Sequence, residues 1–152
     1  MQSQTVRPRP SLLQPIVGLT VVTHGRHEQL TNPSALETLA SLWRQSSDFD
    51  GWYVGDYLLM PDHVHLFARA SHEAKPLPAW IATWTAISAR RLEPLLRTHS
   101  PFWERSYFDR FLRIDDCYGL EWEYVSLNPV RQSLCAAPDD WPWKGRVFDL
   151  TV

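Results

Sequence analysis

Apolar residues along the chain form four short runs with strand character and three stretches with helical spacing. Residues 17–23 (VGLTVVT) are apolar and β-branched and predict a strand, followed by a loop at His24-Gly25-Arg26-His27. Asn32-Pro33 predicts a helix start, with Asn32 as cap and Pro33 at the first helical position. Leu36, Leu39, Leu42 and Trp43 recur at three- and four-residue steps, so an amphipathic helix is predicted over 33–46. Residues 52–60 (WYVGDYLLM) and 63–70 (HVHLFARA) predict two strands parted only by Pro61-Asp62, a spacing that favours an antiparallel hairpin. After a link containing Pro76 and Pro78, the spacing of Trp80, Trp84, Ile87, Arg91 and Leu95 predicts a second helix over 78–96. Residues 102–112 (FWERSYFDRFL) predict a fourth strand. A third helix is expected from Asp115 or Asp116 to Leu127, with Pro129 allowing at most one more turn. The tail from residue 138, with Trp141 and Trp143, is expected to pack by its tryptophans.

The first six elements have the order of the ferredoxin-like βαββαβ motif, an α+β fold with an antiparallel sheet, and the last helix is an addition to it. The 152 residues suit one domain, expected at 16–145 between a loose, proline-containing leader (1–15) and a C-terminal tail (146–152). With 44% hydrophobic and 21% charged residues the chain is globular, and its net charge of −2 argues against a strongly basic nucleic-acid binder. Cys117 and Cys135 are the only cysteines and read as reduced thiols. The start lacks an apolar targeting segment and no run approaches a membrane span, so a cytoplasmic protein without membrane association is expected.

His63 and His65 carry the sharpest local chemistry. Side chains two apart on a strand share a face, so both imidazoles project together and could ligate a divalent ion. Taken alone, a His-x-His pair is as readily two internally bonded histidines. The expected third helix supplies a complement: Tyr124 and Asn128 are four apart and therefore stack on one helical face. The Asn128 amide oxygen could reach a hard cation, with the Tyr124 hydroxyl beside it as a nucleophile. The plainer reading is a core tyrosine and an asparagine that ends the helix before Pro129. Asp62 is expected to form the turn with its side chain away from the histidines. Glu121 is a candidate supporting group behind the site, and Tyr107 is the rival nucleophile. Between residues 90 and 113, six arginines (Arg90, Arg91, Arg97, Arg105, Arg110, Arg113) oppose three acids. They interleave with Trp103, Tyr107, Phe108 and other aromatics. Arg90, Arg91, Arg105, Arg110, Arg113 and Tyr107 are thus candidate nucleic-acid contacts, cations for phosphates and rings for bases.

Three stretches together resemble a known family. Met60-Pro61-Asp62-His63-Val64-His65-Leu66 is similar to the Met-Pro-Asn-His-Val-His-Leu stretch of single-tyrosine HUH transposases, above all the REP-associated tyrosine transposases, with Asp62 where Asn is frequent. Residues 102–109 (FWERSYFD) resemble their aromatic segment, and residues 124–130 (YVSLNPV) their tyrosine-bearing helix. The resemblance implies a ferredoxin-like endonuclease with an additional C-terminal catalytic helix. It implies binding of a single-stranded DNA hairpin of the REP type, and attack of Tyr124 on a phosphodiester to give a 5′-phosphotyrosine link. It further implies Mg2+ or Mn2+ held by His63, His65 and Asn128, and rejoining without a nucleotide cofactor. A hairpin-binding module with structural histidines is the alternative. Nothing in the pattern selects between a monomer and a homodimer.

Overall fold

The computed structural model describes residues 12–151, so residues 1–11 of the expected leader lie outside the described part. β1 (Ile16–Thr23) leads through a short 3-10 turn to α1 (Pro33–Phe49). The hairpin of β2 (Trp52–Leu59) and β3 (His63–Ala70) follows, then α2 (Leu77–Leu96) and β4 (Trp103–Phe111). The expected third helix is divided into α3 (Tyr118–Ser126) and a single turn, α4 (Asn128–Arg131), and a short β5 (Lys144–Arg146) ends the order. The sheet runs β4-β1-β3-β2-β5 with every pairing antiparallel, a ferredoxin-like core with an extra C-terminal helix. Among the described residues no helix is long and apolar enough to cross a membrane. Cys117 and Cys135 are free thiols.

The two faces of the sheet bury different things. Val17, Leu19 and Val21 of β1 stand opposite Ala68, Leu66 and Val64 of β3, and all six pack under α1 and α2 with Leu39, Trp43, Trp80 and Trp84. Side chains alternate along both strands, so the intervening residues, His63 and His65 among them, look out of the other face. That second face is covered by α3 and the C-terminal segment. Phe67, Tyr53, Leu58 and Met60 lie beneath Trp122, Val125, Trp141 and Leu150.

Buried tryptophans keep their indole N–H groups bonded where the chain supplies an oxygen. Trp80 donates to Ser46 Oγ (2.8 Å), Trp103 to Ser88 Oγ (2.9 Å) and Trp141 to the Leu59 carbonyl (2.9 Å). The last of these fastens the tail beside β2, as its tryptophans lead one to expect. Asn32 caps α1 through its side-chain oxygen, which accepts from the Ala35 N–H at 2.9 Å. Gly51 turns the chain into β2 at φ 76°, where an added Cβ would lie 2.7 Å from the Ala74 Cα.

β5 has no counterpart in the hydrophobic pattern, because Lys144-Gly145-Arg146 carries no apolar alternation. It forms by pairing with β2, where Gly145 admits the Tyr57 ring: a Cβ there would meet the Tyr57 hydroxyl at 2.5 Å. A network around buried Asp56 also ties this edge to α3. Tyr118 donates its hydroxyl to Asp56 Oδ2 (2.6 Å) while Arg146 donates to Asp56 Oδ1 (3.0 Å). The first residue of α3 is thereby pinned to β2, which fixes where the helix starts across the second face.

Candidate active site

The turn between β2 and β3 determines where the histidines sit. The Met60 N–H donates to the His63 carbonyl, leaving Pro61 and Asp62 as the loop. Both loop carbonyls are taken up by neighbouring segments: that of Pro61 by Gln29 and Leu30, that of Asp62 by the Thr23 N–H and hydroxyl. A proline fits this turn because it has no N–H to donate. The rigid support holds the first residues of β3 in register with Val22 and Thr20 of β1.

His63 and His65 meet edge to face with their Nε2 atoms 3.2 Å apart. Asn128, the first residue of α4, brings its amide Nδ2 to 2.8 Å from His65 Nε2. Each remaining ring nitrogen has its own partner: Asp62 Oδ1 lies 2.6 Å from His63 Nδ1, and Thr20 Oγ1 lies 3.0 Å from His65 Nδ1. Arg26 in turn donates to Asp62 Oδ2 at 3.1 Å. Asp62 therefore faces the site, contrary to the expectation that it turns away. Strand alternation does not govern it, because Asp62 precedes the first regular residue of β3. Burial alone would raise its carboxyl, but hydrogen bonds from His63 and Arg26 outweigh that and hold it below the ordinary range.

Burial, then the neighbouring charges of His63 and Arg131, push His65 down to about 4. The imidazole is thus neutral at pH 7, the state a metal ligand needs. A stability effect follows in the metal-free protein. Above the ordinary value of about 6.5 both folded and unfolded chains hold His65 neutral, and its contribution is complete. As pH falls from there toward 4 the unfolded chain takes up a proton that the folded one resists, so stability declines by an amount on the order of 3 kcal/mol. Urea unfolding in EDTA between pH 7 and pH 4 is expected to show this slope and to lose most of it in His65→Asn. An unchanged slope in the variant would contradict the assignment.

Tyr124 lies on α3, whose Tyr118, Trp122 and Val125 pack toward the second face of the sheet. Its side chain is 66% exposed and its hydroxyl bonds to no described residue. The ring is met by Arg131, whose guanidinium carbon is 4.2 Å from the ring centroid. Arg131 also donates through Nη2 to the Tyr124 carbonyl at 2.7 Å. Neither Asp62 nor Arg131 was singled out as a site residue by the sequence pattern. The signal for Asp62 is a carboxylate adjacent to a paired histidine, and that for Arg131 is its position three residues after Asn128, on the same side of the turn.

The other candidates separate between the faces. Tyr107 pairs with Val21, and directly paired residues share a face, so it packs with α2 on the side away from the histidines. Burial and the Asp109 charge raise its phenol above the ordinary value. Tyr107 and Arg105 line a cleft of about 480 Å3 with Ile81, Thr85 and Trp103, also on the α2 side. Arg90 and Arg91 belong to α2, and Arg113 is exposed in the segment after β4. Arg110 stands opposite Gly18 on the histidine face, but its guanidinium is bonded to Glu121 (2.9 Å) and Asp116 (3.4 Å). Glu121, expected behind the histidines, is bonded to Arg110, and the pair forms a clamp between β4 and α3.

Among the described residues no group of three or more His, Cys, Asp or Glu could hold a metal ion. The candidate donors are instead two imidazoles and a carboxamide. These fit a divalent cation: the two Nε2 atoms converge, both Nδ1 atoms are engaged by oxygens, and a 180° turn of the Asn128 amide would present its oxygen. Such a set leaves coordination positions for water and phosphate, as Mg2+ and Mn2+ sites commonly do.

A ferredoxin-like sheet with two imidazoles on one face, roofed by an added helix that bears an exposed tyrosine, has the make-up of the HUH class. The family model described as "Transposase IS200 like" matches residues 14–111, and the chain belongs to that family. The matched region takes in His63 and His65 and ends with β4, before Tyr124 and Asn128. A solved REP-associated tyrosine transposase bound to a REP hairpin is similar over 98% of this chain and 94% of its own, with TM-score 0.66 and 14% identity. A proposed transposase from Deinococcus radiodurans R1 is similar over 90% of this chain and 100% of its own, with TM-score 0.57 and 20% identity. At these identities the likeness is one of fold. No curated protein matches the sequence.

Proposed function

We propose that the protein is a metal-dependent, single-tyrosine DNA strand transferase of the REP-associated type, acting on single-stranded DNA next to a hairpin. The observation that carries this reading is the convergence of His63, His65 and Asn128, with Asn128 delivered by the turn that directly follows the helix of Tyr124. The fold shared with a transposase that was solved on a REP hairpin supports the choice of substrate. In this reading Tyr124 Oη attacks the phosphorus and the bond from phosphorus to the 3′-oxygen breaks. The phenol proton is lost and the departing 3′-oxygen gains one, leaving a 5′-phosphotyrosine and a free 3′-hydroxyl. A bound Mg2+ or Mn2+ would orient the phosphate and offset charge developing on its oxygens. His63, His65 and Asn128 would hold that ion, while Asp62 and Thr20 keep the two rings turned toward it. Because the phosphotyrosine retains an activated phosphate, the reverse step can rejoin strands without a nucleotide cofactor.

The test is an adduct assay on hairpin DNA with a single-stranded flank. An SDS-stable protein–DNA species is expected with Mn2+ or Mg2+ and none in EDTA. Hairpin binding with no adduct under any metal condition would favour a non-catalytic binding module instead. A second expectation concerns Asp62. Replacing it with Ala should weaken Mn2+ binding about 10- to 100-fold, the usual cost of losing the outer partner of a metal-bound imidazole. Asp62→Asn, which keeps an accepting oxygen for His63 Nδ1–H, should recover part of the loss. Calorimetric titration with Mn2+ measures both, and equal affinity in all three proteins would count against the role.

A further inference from the structure

Arg131 stands apart from the other arginines of this face. Arg26, Arg110 and Arg146 are each bonded to carboxylates, those of Asp62, of Glu121 and Asp116, and of Asp56, and half-buried Arg69 spends its N–H groups on the carbonyls of Gln14, Leu150 and Leu12. Arg131 is exposed and has no carboxylate partner among the described residues. Its guanidinium is nonetheless held in place, by one N–H···O bond to the Tyr124 carbonyl and by the Tyr124 ring 4.2 Å away. It shares the single turn of α4 with Asn128, whose amide touches His65. A pre-oriented cation without a carboxylate partner among the described residues therefore sits against the Tyr124 ring, on the same helical turn as the Asn128 that touches His65, with N–H groups to spare after its bond to the Tyr124 carbonyl.

We infer that Arg131 is a catalytic residue that binds a non-bridging oxygen of the phosphate attacked by Tyr124. The inference rests on the strand-transfer reading above and adds to it the group that meets the phosphate from the tyrosine side. A phosphodiester carries one negative charge and gains electron density on its oxygens as the phenolic oxygen approaches. A planar guanidinium can place two N–H donors on such a centre, whereas an ammonium offers only a point charge. The arginine also fixes the tyrosine: its bond to the Tyr124 carbonyl and its stacking on the ring couple nucleophile and phosphate clamp in one unit. The same contacts could serve only to finish α3, since a cation near a helix C-terminus is favourable in itself, so the test has to separate the two roles.

Adduct formation is to be measured in single turnover with saturating hairpin DNA and Mn2+. The scissile position carries either a normal phosphodiester or an uncharged methylphosphonate. On the phosphodiester, Arg131→Ala and Arg131→Gln should each slow adduct formation about 100- to 1,000-fold, the cost of removing one preorganised donor from a developing oxyanion. On the methylphosphonate, both variants should match the unmodified protein, because the charge that Arg131 meets is already gone. Arg131→Gln keeps a side-chain N–H able to cap the helix, and Arg131→Lys, which keeps the charge, should be slowed less than either. Hairpin affinity, read in the Tyr124→Phe background, should change little. An equal loss on both DNA types would mean that Arg131 only positions Tyr124, and no loss on either would mean it does neither; both overturn the inference while leaving strand transfer intact. An unmodified protein that forms no adduct on the phosphodiester overturns the strand-transfer reading and this inference with it.

Discussion

Phenylalanine in place of Tyr124 is expected to eliminate the covalent protein–DNA species, a loss on the order of a millionfold, the scale on which covalent enzymes suffer when their nucleophile is removed. Phenylalanine at Tyr107 should leave the rate within a few-fold of the original. Tyr107 pairs with Val21 on the sheet face that supports α2, whereas His63 and His65 leave the opposite face. No rotamer carries a side chain through a packed sheet. Burial and Asp109 also make the Tyr107 phenol harder to ionise. Tyr124 is exposed and its hydroxyl is not engaged by any described residue, so its removal should shift stability by no more than about 0.5 kcal/mol. Loss of adduct in Tyr124→Phe with unchanged thermal unfolding and hairpin affinity isolates the chemistry. An adduct that survives this substitution and vanishes in Tyr107→Phe would reverse the assignment. Continued strand cleavage without any adduct would make water the nucleophile.

The frame that positions these groups is readable from local pattern, because the core strands are short apolar, β-branched or aromatic runs bounded by turn residues and the helices have three- and four-residue apolar spacing. The turn at Pro61-Asp62, the cap at Asn32 and the same-face placement of His63 and His65 follow from that local chemistry alone. What failed to be legible depends on long-range pairing. The arginines and aromatics of residues 90–113 form one cluster in sequence, but α2, the β4 edge and the following loop distribute them over both sides of the sheet. Alternation does put Tyr107 on the same side as Arg105 and Asp109, but which side that is follows only from the pairing of β4 with β1, whose register shifts between Val21 and Thr23. Arg110 and Glu121 looked like separate functional groups and are partners, a contact between residues on different elements that no spacing rule contains. The single expected helix around Tyr124 is interrupted at Leu127, yet Asn128 still arrives at His65, because Leu127 keeps αR geometry and α4 resumes directly. β5 escaped notice because its strand character comes from its neighbour rather than from its own residues.

Removing one imidazole should cost nearly as much as removing both. In the proposed cation site His63 and His65 act as a unit, since their Nε2 atoms are 3.2 Å apart and converge on one position. His63→Ala or His65→Ala is expected to reduce Mn2+ affinity by more than the roughly 10- to 100-fold that loss of an outer partner costs. Either should bring metal-dependent adduct formation to the level of the EDTA control. The double variant should be scarcely worse than either single one, because a residual one-imidazole site no longer fixes the ion against the phosphate; strongly non-additive losses are the signature of groups that function together. Asn128→Ala should be milder than either histidine change, as it leaves both nitrogens in place and removes one amide. The acid-side stability slope supplies an independent control. His65→Ala deletes the imidazole that resists protonation in the folded chain, so this variant should lose metal binding while becoming less sensitive to pH between 6.5 and 4. His63→Ala tests the other partner: it removes the leading charge that depresses His65 after burial, and the slope should shrink but persist. Losses that simply add across the pair, or Mn2+ affinity retained in the double variant, would show that the ion is held elsewhere and that the two rings serve the fold alone.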